Sequence, residues 1–233
     1  MGDLRRRFRS SLGSAVLVAG VSLLAAWPAA AQMTMRMPDM RGVWNPTVGS
    51  GAAYQDDNKS GKNTMEISVV GKEDVDGKTG YWIEMVMTVD KGQTVISKSL
   101  MVIDGKTATF ARMIVQPPGQ GPMEMPAMMM GRNQAPPNVD ARDQAVNAGS
   151  EDVTTPAGTF SCDHYKAKDG SWDAWLSSKV TPWGLVKSTN GDTTMTVVRL
   201  ITDAQDRITG TPTKFDPSQI MRQGMGGGPP PSR

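Results

Sequence analysis

Apolar and polar side chains alternate along two long stretches of this chain, residues 64–116 and 152–203, with turn residues breaking the pattern at short, regular intervals. In 64–70, Met65, Ile67 and Val69 point to one side, and Glu66 and Ser68 to the other. In 81–89, Tyr81, Ile83, Met85, Met87 and Val89 make one apolar side opposite Trp82, Glu84, Val86 and Thr88. A period of two marks a strand whose two sides face different surroundings. Asp76-Gly77-Lys78 separates the first pair of strands. Lys91-Gly92 and Asp104-Gly105 lead on into strands over 93–103 and 107–115, which predicts a four-stranded meander.

The second stretch repeats the style. Thr155-Pro156-Ala157-Gly158-Thr159 places Pro and Gly as a β-turn requires. Strands follow over 159–167, 172–178, 184–189 and 193–202, separated by Asp169-Gly170, by Thr181-Pro182-Trp183-Gly184 and by Asn190-Gly191. The only helical signal is a short turn near 139–147. The pattern predicts an all-β or strongly β-dominated fold, a single curved antiparallel sheet or half-barrel of eight or nine strands, with 64–116 and 152–203 continuous in it. A membrane barrel would need aromatic girdles on every strand, and aromatics are only 6% of the chain.

The flanking regions read differently. Arg5, Arg6, Arg7 and Arg9 precede an apolar run over 15–27, and Ala29-Ala30-Ala31 closes it, which predicts a cleavable signal peptide over 1–31 with the cut before Gln32. Leu4 stands where a twin-arginine signal usually has Ser or Thr, so the general export route is expected. Residues 32–63 read as an irregular arm, 64–215 as one β domain with a Met- and Pro-rich loop or flap over 117–150, and 216–233 as a disordered tail. The expected location is periplasmic or secreted. With the signal removed, 21 basic residues face 22 acidic ones, so there is no electrostatic footprint for nucleic acid and no charged tail. The mature chain has no apolar run long enough to cross a membrane.

Two stretches carry a resemblance. One runs from Met113 to Met125 through Gln116-Pro117-Pro118-Gly119-Gln120. The other runs from Val153 to Cys162 and continues in Trp175-Leu176-Ser177-Ser178-Lys179-Val180-Thr181-Pro182-Trp183-Gly184. Together they resemble a family of uncharacterised exported bacterial proteins, over most of the chain from Gly42 to Phe215. That family in turn resembles the LolA/LolB-like periplasmic lipoprotein carriers, whose curved sheet holds lipid on its concave face. Those carriers pack helices into the sheet, and this chain has little helix to offer. The resemblance implies a periplasmic location and a curved sheet, and it transfers no catalytic residue.

Candidate chemistry is sparse. Cys162 is the only cysteine and His164 the only histidine. Two apart on a strand, they leave the same side, where packing or a mutual hydrogen bond is expected rather than nucleophilic catalysis. No phosphate loop, nucleophile elbow or HExxH helix is present, so the chain is not expected to be an enzyme, and no cofactor is expected. Trp172 and Trp175 fall on opposite sides of their strand, and with Trp183 they gather near one sheet corner.

Methionine is the anomaly. Met33, Met35, Met37 and Met40 precede the first predicted strand, and Met123, Met125, Met128, Met129 and Met130 lie in the central loop. Flexible thioethers line adaptable apolar surfaces. The leading expectation is therefore a hydrophobic small molecule or lipid held by Tyr81, Ile83, Met85 and Met87, with Met123 and Met125 on the flap. Thioethers also select Cu(I), so copper held by Met33, Met35, Met37, Met123, Met125 and Met128 is the alternative. An envelope-associated scaffold without a ligand is a third reading.

Overall fold

A computed structural model describes residues 42–59, 61–89, 92–126 and 140–215, all within the unit Arg36–Arg233. The signal segment 1–31, the tail 216–233 and Met33, Met35, Met37, Met40, Met128, Met129 and Met130 lie outside the described residues.

Alternation in the first half is realised as a meander. It consists of β1 (Gly51–Asn58), β2 (Gly61–Val75), β3 (Lys78–Val89), β4 (Gln93–Asp104) and β5 (Thr107–Gln116), followed by the two-residue β6 (Met123–Glu124). The β2–β3 turn works because Asp76 and Gly77 both take positive φ, 53° and 79°, the geometry of a tight hairpin matched to strand twist. The second half holds β7 (Ala145–Thr155), β8 (Gly158–Ala167), β9 (Trp172–Leu176), β10 (Leu185–Asn190), β11 (Thr193–Ile201) and β12 (Thr213–Lys214). All twelve join one open curved sheet in the order β12-β6-β5-β4-β3-β2-β1-β11-β10-β9-β8-β7. Only the β12–β6 contact is parallel among the paired strands.

The fold class is as the pattern predicts, and the strand count is larger than eight or nine. β1 occupies residues assigned to the irregular arm, and it is central, paired with both β2 and β11. β7 begins inside the expected loop. The helical signal near 139–147 is one 3-10 turn, Ala141–Gln144, capped by the Asp140 side chain, which accepts from the Arg142 N–H.

One side of the sheet carries the core. Tyr54, Ile67, Leu185, Val186 and Val197 are fully buried there, and the Tyr54 hydroxyl donates to the Leu185 carbonyl at 3.2 Å. β8 pairs with β9 only from Asp163 onward, so the tip of the β7–β8 hairpin runs beyond β9. Phe160 and Cys162 on that tip are buried in the same core.

A strap covers the other side. β11 lies mid-sheet and β12 at one edge, so residues 202–212 must cross the intervening strands. Along the way Arg207 meets Glu66 on β2 at 2.5 Å, its N–H donates to Glu84 on β3 at 2.9 Å, and Asp206 pairs with Lys98 on β4. Ile208, on this segment, is itself buried.

Candidate functional site

Strand register decides which predicted site residues share a surface, because cross-strand partners project to the same side. Ile67, Met85, Ser97, Val115 and Met123 form one row across β2 to β6. Met65, Met87 and Val95 form a second, Val69, Ile83, Ser99 and Met113 a third, and Tyr81, Met101 and Phe110 a fourth. Tyr81, Ile83, Met85, Met87 and Met123 therefore lie on one face. Met125, just past β6, is tied by its N–H to the Met113 carbonyl at 2.8 Å.

Among the described residues of β2 to β6, six thioethers share that face: Met65, Met85, Met87, Met101, Met113 and Met123. Met65, Met85 and Met101 are buried with Ile83, while Tyr81, Met87, Met113 and Met123 are half-buried. A bulge between the Leu100 and Met101 pairings shifts the parity of β5, so that Phe110 shares the face with Met113 and Val115. The tentative ligand residues are thus brought together, but as part of a packed surface. Two open depressions lie elsewhere, one beside Glu73, Lys78, Leu100 and Arg112, the other beside Asp143, Lys168 and Trp172.

An aromatic cluster closes one end of the face. Trp44 meets Tyr81 edge-on at 5.7 Å and Trp183 at 4.7 Å. The segment bearing Trp44 is stitched to the 177–184 corner: the Val43 N–H donates to the Trp183 carbonyl at 2.7 Å and the Asn45 N–H to the Pro182 carbonyl at 2.6 Å. Gly42 makes this approach possible, since a β-carbon there would stand 2.0 Å from the Trp183 carbonyl oxygen. Trp183 is 3% exposed, and its indole Nε1–H is buried with no acceptor.

The opposite face sets buried Val86, Leu100, Val102 and Ile114 among heavily paired charges. Glu66 accepts from Arg199 and Arg207, each at 2.5 Å. Trp82 donates to Glu73 at 3.0 Å, and Lys98 and Arg112 stand over its ring, 5.1 and 5.3 Å from the centre. Arg112 donates to Glu124 at 2.7 Å, which pins β6 to β5. Glu84 sits in this network at 1% exposure. One of its oxygens accepts from the strap and the other has no hydrogen-bond donor. Burial pushes the Glu84 carboxyl above the ordinary carboxylate value, a shift the Arg207 N–H partly offsets.

Cys162 and His164 do not meet through their polar atoms. The thiol donates to the Phe160 carbonyl at 3.4 Å, and burial pushes it up to about 11, so it is no nucleophile at neutral pH. His164 stacks on Trp175 with ring centres 4.3 Å apart. Its Nε2 lies 2.8 Å from Asp173 and its Nδ1 3.3 Å from Glu151, which also accepts from the Trp175 indole at 2.6 Å. Lys187 covers the Trp175 ring at 4.7 Å. Trp172, on the other side of β9, is buried in the core. Among the described residues, no group of three or more His, Cys, Asp or Glu side chains is placed to hold a metal ion. Of the Met residues in the copper alternative, only Met123 and Met125 are among the described residues. No helix among those residues is long and apolar enough to cross a membrane.

No family model matches the chain, and no curated protein matches its sequence. Solved structures are similar at a distance, among them these three. A provisionally assigned lipoprotein from Parabacteroides distasonis is 16% identical, with 68% of this chain and 98% of that one covered and a TM-score of 0.35. A provisionally assigned exported protein with YmcC-like fold from Bacteroides fragilis is 12% identical, with coverage of 68% and 99% and a TM-score of 0.38. MucB is 10% identical, with coverage of 74% and 60% and a TM-score of 0.34. Likenesses at this level transfer no function.

Proposed function

We propose that this chain acts outside the cytoplasm, without catalysis, by holding a hydrophobic small molecule or lipid against its methionine-rich sheet face. The observation that carries this reading is the gathering of six thioethers from five consecutive strands onto one surface, with Met87, Met113 and Met123 only half-buried along it. Rigid cores favour branched side chains with defined rotamers, whereas methionine adapts its shape to what it touches. The export signal read in 1–31 supports the location. The buried Cys162 and the carboxylate-clasped His164 support a role without chemistry.

Native mass spectrometry of protein purified from its own periplasm tests the reading. A retained apolar adduct is expected. Replacing Met85, Met87 and Met123 together by Leu should keep it, because volume and hydrophobicity change little, whereas Met87→Asp should lose it. A copper adduct that the Leu replacements abolish would overturn the reading, as would protein that emerges free of any adduct.

A further inference from the structure

The orphaned indole of Trp183 points to the kind of ligand. A buried N–H without an acceptor is rare in folded proteins, and an indole N–H enclosed in a core usually finds a partner. Trp183 belongs to the same core as Ile83 and Met85, and its packing neighbour is Trp44. Trp44 itself is only half-buried. It is borne on a segment outside the sheet ladder, held to the corner by two backbone hydrogen bonds and one from the Asn45 side chain to the Ser178 carbonyl.

We infer that the ligand is an amphiphile whose head bears a hydrogen-bond acceptor, a carboxylate or an ester carbonyl, and that this acceptor takes the Trp183 N–H once Trp44 swings away. The inference rests on the apolar-ligand reading and adds to it a polar contact and a cover. The tail lies along the methionine face and the head stops at the aromatic end, beside Tyr81. In the absence of ligand, Trp44 stands in for the upper part of the tail. A pure hydrocarbon gains the methionine surface but not the indole contact, so the site discriminates by head group.

Two fluorescent probes separate these elements: cis-parinaric acid, which has a carboxylate head, and diphenylhexatriene, which has none. The full chain should bind both. Trp44→Ala should bind both at least about fivefold tighter, because the cover is gone. Trp183→Phe should bind diphenylhexatriene like the parent and parinaric acid about tenfold more weakly, the worth of one hydrogen bond to a charged acceptor. Should Trp183→Phe fold poorly, nitrogen-15 labelling of the parent supplies the same answer: the Trp183 indole resonance should move downfield with parinaric acid and not with diphenylhexatriene. An unmoved indole resonance, or equal loss of both probes in Trp183→Phe, would overturn the head-group assignment and leave the apolar-ligand reading standing. Weaker binding in Trp44→Ala would overturn the cover. Failure of both the parent and Trp44→Ala to bind either probe would overturn the apolar-ligand reading itself.

Discussion

Replacing Glu84 by Gln should make the protein more stable at neutral pH. Glu84 is 1% exposed, and one oxygen lacks a donor. Leaving a buried polar acceptor unsatisfied costs about 1–3 kcal/mol, more when it is charged. Gln keeps the oxygen that accepts from the Arg207 N–H and removes the charge. It gives up attraction to Arg207 and Lys98, the former with its Nε 3.9 Å from the carboxylate and also engaged by Glu66. The amide nitrogen it introduces needs an acceptor of its own, which reduces the gain. About 1 kcal/mol should remain, worth roughly 2–4 °C in Tm for a domain of this size. Because burial raises the folded-state pKa above the unfolded value, the native protein binds the Glu84 proton more tightly. The contribution of this group is therefore greatest below the unfolded value and is lost as pH rises through the folded one. The advantage of the Gln variant should accordingly be small near pH 4 and grow towards pH 7. Thermal melts of both proteins across that range decide the matter. A variant that is less stable at pH 7, by an amount that does not shrink in acid, would show that Arg207 and Lys98 more than repay the burial.

Three other outcomes follow from the same geometry. Gly42→Ala should push the 42–45 segment off the corner at a cost of about 1–3 kcal/mol, seen as faster hydrogen exchange at Val43 and Asn45 with β2–β5 unaffected. Cys162, buried and pushed up to about 11, should resist a thiol reagent at pH 8 until denaturant unfolds the chain; rapid labelling of native protein would contradict its place in the core. Leu185→Ala, at a fully buried position, should cost about 2–5 kcal/mol by cavity formation, read as a lowered denaturation midpoint.

The meander β2–β5 was legible because each strand alternates and each turn carries a glycine or aspartate suited to positive φ. β1 was not, because Gly51-Ala52-Ala53-Tyr54 is buried on both sides and shows no alternation, while Gln55-Asp56-Asp57-Asn58 reads as a loop. Only pairing with β11 reveals it as central. β7 is mostly exposed and polar, an edge strand defined by backbone bonds to β8 that no side-chain period announces. Tyr81, Ile83, Met85 and Met87 share one face, as their alternation predicts, because β3 runs without a bulge. Met101 and Met113 needed the register. Glu84 looked like the solvent half of an alternating strand, and the strap that buries it begins more than a hundred residues downstream, beyond any local pattern.

The pairing of β1 with β11 has a consequence for how the chain reaches its native state. Within each half most strands pair with a sequence neighbour, so those contacts are local and cheap in loop-closure entropy. The seam between the halves sets Tyr54 opposite Val197 and is among the least local contacts in the sheet. As the polypeptide emerges from its amino end, β1 therefore waits with one edge unpaired until residues 193–201 arrive. The strap, anchored by Arg207, can close only after that. The interval is when this chain is most open to wrong partners, and the short, polar second half of β1, Gln55-Asp56-Asp57-Asn58, keeps its waiting edge from being a long apolar one.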